Sequence, residues 1–238
     1  LACDRKLHRL FCYLNTTIDL VLVGWVGDET KELFVKLFVD ADYAGDRLTK
    51  RSTSGVLQQL NGPNTLFPVH GGSQGQKVVS TCTAEAEIVA AHSGVKMIGI
   101  PSLEVWDTIL GDQTLCVVQE DNDAAMTIIK TGKNPTLRHV QRTHGISIAW
   151  LHEQFFPSDV DPKEEAAQLK IVRCDTLRQA ADLFTKPFTK PDAWERVISL
   201  VGLRHLRDRA SIFPVDVSPN KQVVLPSPGS NPALCVTT

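Results

Sequence analysis

The chain has 238 residues, 42% of them apolar and 22% charged, the balance of an ordinary globular protein with room for one domain and flanking pieces. Lysine and arginine number 25 against 27 aspartates and glutamates, and a formal net charge of -2 excludes a global basic field, leaving nucleic-acid binding to local patches. No apolar run approaches the ~20 residues of a membrane span, and there is no secretory leader pattern, so no membrane partner is expected.

Residues 1–20 are predicted to form an amphipathic helix, with Cys3, Leu7, Leu10, Phe11 and Leu14 at helical spacing. Leu33–Val39 then reads as a buried strand that runs straight into Asp40, Asp42 and Asp46. Residues 52–72 give two short strands around a turn at Asn61-Gly62-Pro63. A long helix is expected from Thr83, its N-cap, with a kink or break at Pro101. A fourth strand covers 114–121. A short helix follows, capped by Asn122 or Asp123 and ended by Gly132. Another helix is expected over 141–155, weakened by Gly145. A fifth strand spans 167–174, a helix 176–186 stops before Pro187, and a last helix runs over 191–201. Beyond Arg204 the chain is rich in proline, glycine and serine and is expected to be disordered. Strands interleaved with helices in this order suggest a mixed sheet covered by helices. The six cysteines contain no Cys-x-x-Cys pair, which argues against structural zinc and for free thiols in a reducing compartment. The first residue is Leu1 rather than Met, which fits a piece of a longer chain.

Four acids stand where acids are costly. Asp40 and Asp121 each end an apolar strand; a helix N-cap or turn role is the plain alternative for both. In the helix from Thr83, Ala84, Ile88, Ala91, Val95 and Ile98 share one face at about 100° per residue, and Glu87 lies on that face, aimed into the domain; the plain alternative is that it sits at the edge of the stripe and snorkels to water. Glu85 falls on the opposite side with His92 and Lys96, as a solvated glutamate would. Asp182 sits among Leu177, Ala180, Ala181, Leu183 and Phe184, a poor interior helix residue that needs a partner. Four carboxylates with no histidine or cysteine beside them suit a hard cation such as Mg²⁺. Two such ions about 4 Å apart can activate water and stabilise the leaving oxygen of a phosphodiester.

The stretches "VDADYAGDRLTKRSTSG", "VVSTCTAEAEIVAA", "QEDNDAA" and "QAADLFTKPF", in this order and spacing, strongly resemble the ribonuclease H domain of copia-type long-terminal-repeat retrotransposons. The resemblance covers about residues 33–203. Residues 1–32 resemble the end of the preceding reverse transcriptase region, and 204–238 form the tail. The polymerase's paired-aspartate motif is absent.

The resemblance implies a ribonuclease H-like mixed five-stranded sheet with flanking helices. It implies Asp40, Glu87, Asp121 and Asp182 as catalytic, metal-binding acids, with two Mg²⁺ ions or Mn²⁺ in their place. Asp42, Asp46, Glu85, Glu120 and Asp123 become accessory or structural. It further implies an RNA/DNA hybrid substrate, a reverse transcriptase partner in the same polyprotein, and an intracellular site in a virus-like particle or the nucleus. Hybrid contacts call for basic and hydroxyl groups along the backbone, and Arg51, Ser52, Ser54, Arg138 and Arg142 are the candidates. The sequence departs from the family where "RTHGISI" puts Gly145 and Ser147 in place of the usual His and Asp. It also lacks a Trp-Ser-Ser-Lys pattern and the loop histidine of cellular ribonucleases H. Two other readings stay open: a remnant that binds nucleic acid or a polymerase without cleaving, and a related nuclease acting on DNA.

Overall fold

Helix α1 (Ala2–Thr16) and the short strand β1 (Leu20–Leu22) precede the main sheet in the computed structural model, which describes residues 2–157 and 168–206. The apolar stripe of α1 is there as expected, yet Leu7, Leu10, Phe11 and Leu14 are all exposed. Strands β2 (Phe34–Asp42), β3 (Thr53–Gly62) and β4 (Thr65–Gly75) form an antiparallel meander. The last two are long strands rather than short ones. The register pairs Asp40 of β2 with Gly55 of β3.

The helix expected from Thr83 is α2 (Thr83–Gly94), continued by a π-helical turn (Val95–Gly99) into α3 (Ile100–Leu110). Cys82 rather than Thr83 is its N-cap, and no side chain caps it. Pro101 does not break the path. It falls in the first turn of α3, where its missing N–H costs least. The π turn just before it absorbs the misfit.

Strand β5 (Cys116–Glu120) leads to α4 (Asp123–Thr131). Asn122 caps α4 by accepting from Ala125 N, and Gly132 ends it at φ 70°, as predicted. The helix expected over 141–155 is split into α5 (Val140–Thr143) and α6 (Ile148–Phe155). Gly145 at φ 69° turns the chain out of the first piece, and the Ser147 side chain caps the second. Strand β6 (Leu169–Arg173) follows. Helix α7 (Pro191–Val201) then leads through Gly202, at φ 88°, into β7 (Leu203–His205).

The helix expected over 176–186 is instead two 3₁₀ turns, Thr176–Arg178 and Ala180–Phe184. Gln179 between them is extended, and its side chain serves both neighbours. It donates to Val39 O at 2.9 Å and accepts from Ala181 N at 3.3 Å. A residue tied to a strand this way cannot continue an α-helix.

The sheet order is β4-β3-β2-β5-β6, with β2–β5 and β5–β6 parallel. This is the expected mixed five-stranded sheet with flanking helices. One face carries Val35, Leu37, Val39 and Val118 against Ile88, Ala91 and Val95 of the α2 rod and Leu151 of α6. The other carries Phe38 and Leu57 against Ala180, Ala181 and Val201. Burying about 1.5–3 kcal/mol per large apolar side chain on both faces fixes β2 as the centre of the fold. Strands β1 and β7 pair as a separate antiparallel ladder, Leu20 opposite His205. The expected start of the tail at 204 is therefore too early, since Arg204 and His205 are paired strand residues. The rest of that expected tail, 207–238, lies outside the described residues.

Candidate active site

The parallel register of β2 and β5 aligns Phe38 with Gln119. Two residues further on, Asp40 and Asp121 stand side by side at the carboxyl ends of the two central strands. Helix α2 brings Glu87 to the same point. Ligand oxygens of Asp40, Glu87 and Asp121 all lie within 4.8 Å of one another, the one such cluster among the described residues. Asp40 is 1% and Glu87 4% exposed. Helix α2 packs close enough because Gly94 has no side chain: a Cβ there would lie 2.8 Å from Val39 Cγ1.

Asp182 reaches the group from the other face of the sheet. Its carboxylate accepts from Lys186 Nζ at 2.6 Å, and the same ammonium donates to Asp40 Oδ1 at 3.2 Å. Thr185 Oγ1 donates to the second oxygen of Asp40. Gly55 makes room for this turn. A Cβ there would sit 2.6 Å from Thr185 Cγ2 and 2.9 Å from Ala181 O.

Crowding of carboxylates shows in their protonation. Burial first, then the charges of Glu120, Asp40 and Asp121, drive the Glu87 carboxyl far above the usual range. Burial raises Glu120 as well, with Asp121 and Asp40 adding to it, and two backbone N–H groups only partly offset this. Asp182 is pushed up to about 6, by burial and the charges of Asp40 and Asp121, with Lys186 pulling the other way. For Lys186, burial opposes the charged form, but Asp182 and Asp40 outweigh it and raise its pKa.

Glu87 Oε2 and Glu120 Oε2 are buried with no hydrogen-bond donor. Orphaned carboxylate oxygens in an all-oxygen cluster are what a hard divalent cation would satisfy. The residues present therefore fit such an ion, which Asp40, Glu87 and Asp121 would hold.

Glu85 is not the solvated residue its helix phase suggests; it is 1% exposed. Its phase is opposite to the Glu87 side, but the 137–155 segment covers that side too. Glu85 accepts from Thr81 N at 2.8 Å and from the Thr81 hydroxyl, and His139 Nε2 lies 3.3 Å away. His144 Nε2 is 2.9 Å from the same carboxylate, an ion-pair distance without hydrogen-bond alignment. Burial works against its charge, yet these partners hold its pKa below the usual value. The adjacent His92 is buried against Trp150, and burial with Lys96 pushes its pKa down to about 4.

The remaining acids have local partners. Asp46 accepts from Leu48 N and the Thr49 hydroxyl in the β2–β3 turn. Asp123 pairs with Arg173 at 2.6 Å. Glu120 Oε1 accepts from Asn122 N at 3.0 Å.

Of the expected substrate contacts, Arg51, Arg138 and Arg142 are exposed. Ser52 is not available: it is 1% exposed, and its hydroxyl accepts from Ala44 N, holding a turn in which Ala44 takes φ 54°. Ser54 is half-buried and accepts from Gln76 Nε2 at 3.0 Å. Sequence reasoning missed Gly55, Gln179, Thr185 and Lys186. Only Lys186 carried a signal, its spacing of four from Asp182.

No family model matches the sequence, and no curated protein matches it. Two solved structures show a distant similarity. LC11-RNase H1, isolated from compost, is 17% identical with a TM-score of 0.35, over 64% of this chain and 92% of its own. The NurA nuclease from Sulfolobus solfataricus is 10% identical with a TM-score of 0.36, over 82% of this chain and 64% of its own.

Proposed function

We propose that the protein is a metal-dependent nuclease that hydrolyses the RNA strand of RNA/DNA hybrids. The observation that carries this reading is the cluster of Asp40, Glu87 and Asp121, with an unpartnered buried oxygen on Glu87. A divalent cation held there supplies Lewis-acid activation of a phosphodiester and of the attacking water. The chain's own part is to hold the three carboxylates rigidly on two strand ends and one helix. Asp182 and Lys186 adjust the charge beside them. The two-ion form of the reading adds Asp182, opposite Asp40, as a ligand of the second ion.

The choice of hybrid, the retroelement setting, the reverse transcriptase partner and the intracellular location all rest on the motif resemblance. A remnant that binds without cleaving is a second reading. It draws on Lys186, which already neutralises part of the cluster.

Cleavage of matched hybrid, RNA duplex and DNA duplex in Mg²⁺ or Mn²⁺ separates these readings. The proposal expects cut RNA in the hybrid alone, with 5′-phosphate ends, abolished by chelator. Equal cutting of the DNA duplex would move the substrate to DNA. Folded protein that binds hybrid and cuts nothing would support the remnant.

Arg138 and Arg142 are offered as phosphate contacts. Replacing both with Ala should weaken hybrid binding for all sequences alike. The slope of log affinity against log salt should fall by up to about two units. An unchanged slope in a binding titration would make them solvated surface groups.

A further inference from the structure

Building on the cation-site reading above, we infer that the Lys186 ammonium occupies the second cation position of the carboxylate cluster. The site then takes one divalent ion at Asp40, Glu87 and Asp121. It admits another beside Asp182 only when the lysine withdraws.

The geometry is specific. Lys186 Nζ bridges Asp40 Oδ1 at 3.2 Å and Asp182 Oδ1 at 2.6 Å, the two carboxylates a second ion would need. Its backbone is anchored next to Asp182, since Lys186 N donates to Asp182 O at 2.9 Å in the closing turn of the 3₁₀ segment. The neighbouring Thr185 hydroxyl holds the other oxygen of Asp40. Asp40 thus faces a protein cation on one side and Glu87 and Asp121 on the other. Each carboxylate oxygen accepts along two directions, so Asp40 can still serve an ion shared with Glu87 and Asp121.

The lysine also has somewhere to go. Its side chain is 37% exposed. It lines a groove of about 720 Å³ with Tyr13, Phe188 and Trp194, and none of Glu87, Asp40 and Asp121 lines that groove. An ammonium in this place offsets repulsion among carboxylates before any ion arrives. A second divalent ion must displace it, and so binds later and more weakly than the first.

Mn²⁺ counted per chain by equilibrium dialysis tests this on the full chain, Lys186→Met and Lys186→Arg. We expect one Mn²⁺ on the wild type over a concentration range where Lys186→Met takes two. The affinity for the second ion should rise at least tenfold in Lys186→Met, and Lys186→Arg should behave as wild type. Two ions on wild type with the affinities of Lys186→Met would overturn the role of the lysine and leave the cation site standing. No bound ion on any folded variant would overturn both.

Lys186→Met leaves Asp40 and Asp182 without their cation and can fail to fold, so a second measurement uses the wild type alone. A restrained lysine ammonium resonance in ¹H–¹⁵N spectra, assigned by its loss in Lys186→Arg, should persist through the first equivalent of Mg²⁺. It should vanish only at higher Mg²⁺. Its loss with the first equivalent, or its absence without Mg²⁺, would contradict the inference.

Discussion

Glu87→Gln should lower hybrid cleavage at least about a hundredfold, because a lost ligand weakens the charge stabilisation on which phosphodiester hydrolysis depends. The same change should stabilise the metal-free protein. Burial and the surrounding acids raise the Glu87 pKa in the folded state. The folded chain then holds a proton that the unfolded chain releases near the ordinary glutamate value. Stability is consequently lost as pH rises above that value toward the folded pKa. Glutamine has no proton to lose, so Glu87→Gln should gain about 1–2 kcal/mol over wild type at pH 8 without metal, with the gap closing toward pH 4. Saturating Mg²⁺ should reverse the order, since only the wild type gains fully from the ion. Thermal melts at both pH values, with and without Mg²⁺, check all three statements. Glu85→Gln is the contrast. It breaks a buried network with Thr81, His139 and His144 and should cost stability in every condition, without the reversal in Mg²⁺.

The second large effect is expected from a residue with no chemistry of its own. Gly55 stands opposite Asp40, and its missing side chain is the space into which Ala181, Phe184 and Thr185 fold. Gly55→Val would drive that turn off the sheet, carrying Asp182 and Lys186 away from Asp40. Overpacking of this kind costs about 1–3 kcal/mol, and a shift of about 1 Å in a reacting group can cost a hundredfold in rate. Denaturant melts and cleavage rates should therefore fall together. Gly75→Ala is the control, as a Cβ there meets nothing within 4 Å. It should leave both measurements near wild type. If Gly55→Val retains wild-type stability and rate, the 180–186 turn does not depend on close contact with β3.

Much of this was legible in the residues. Apolar runs marked β2 and β5, and the aspartates that end them are where the parallel register aligns the two strands. The 3.6-residue period of the helix from Thr83 put Glu87 toward the sheet, where it meets Asp40 and Asp121. What periodicity could not tell is what covers the rest of a helix. The Glu85 side of α2 lies under the 137–155 segment, so a phase that looked solvated is buried. Nor could local pattern foresee the 176–186 segment. Its helical spacing is overridden by Gln179, whose side chain spends its hydrogen bonds on Val39 and Ala181. Pro101 likewise looked like a break, and a π turn takes up the misfit. Lys186 was hidden for a different reason: its partner Asp40 lies 146 residues away in the chain, beyond the reach of any local rule.

The central claim is that Asp40, Glu87 and Asp121 together bind a divalent cation. Anomalous diffraction from crystals soaked in Mn²⁺ tests it most directly. The account predicts a peak bonded to oxygens of all three carboxylates, absent from crystals of Asp121→Asn. A cluster with no peak at millimolar Mn²⁺, or a peak unchanged in Asp121→Asn, would contradict it.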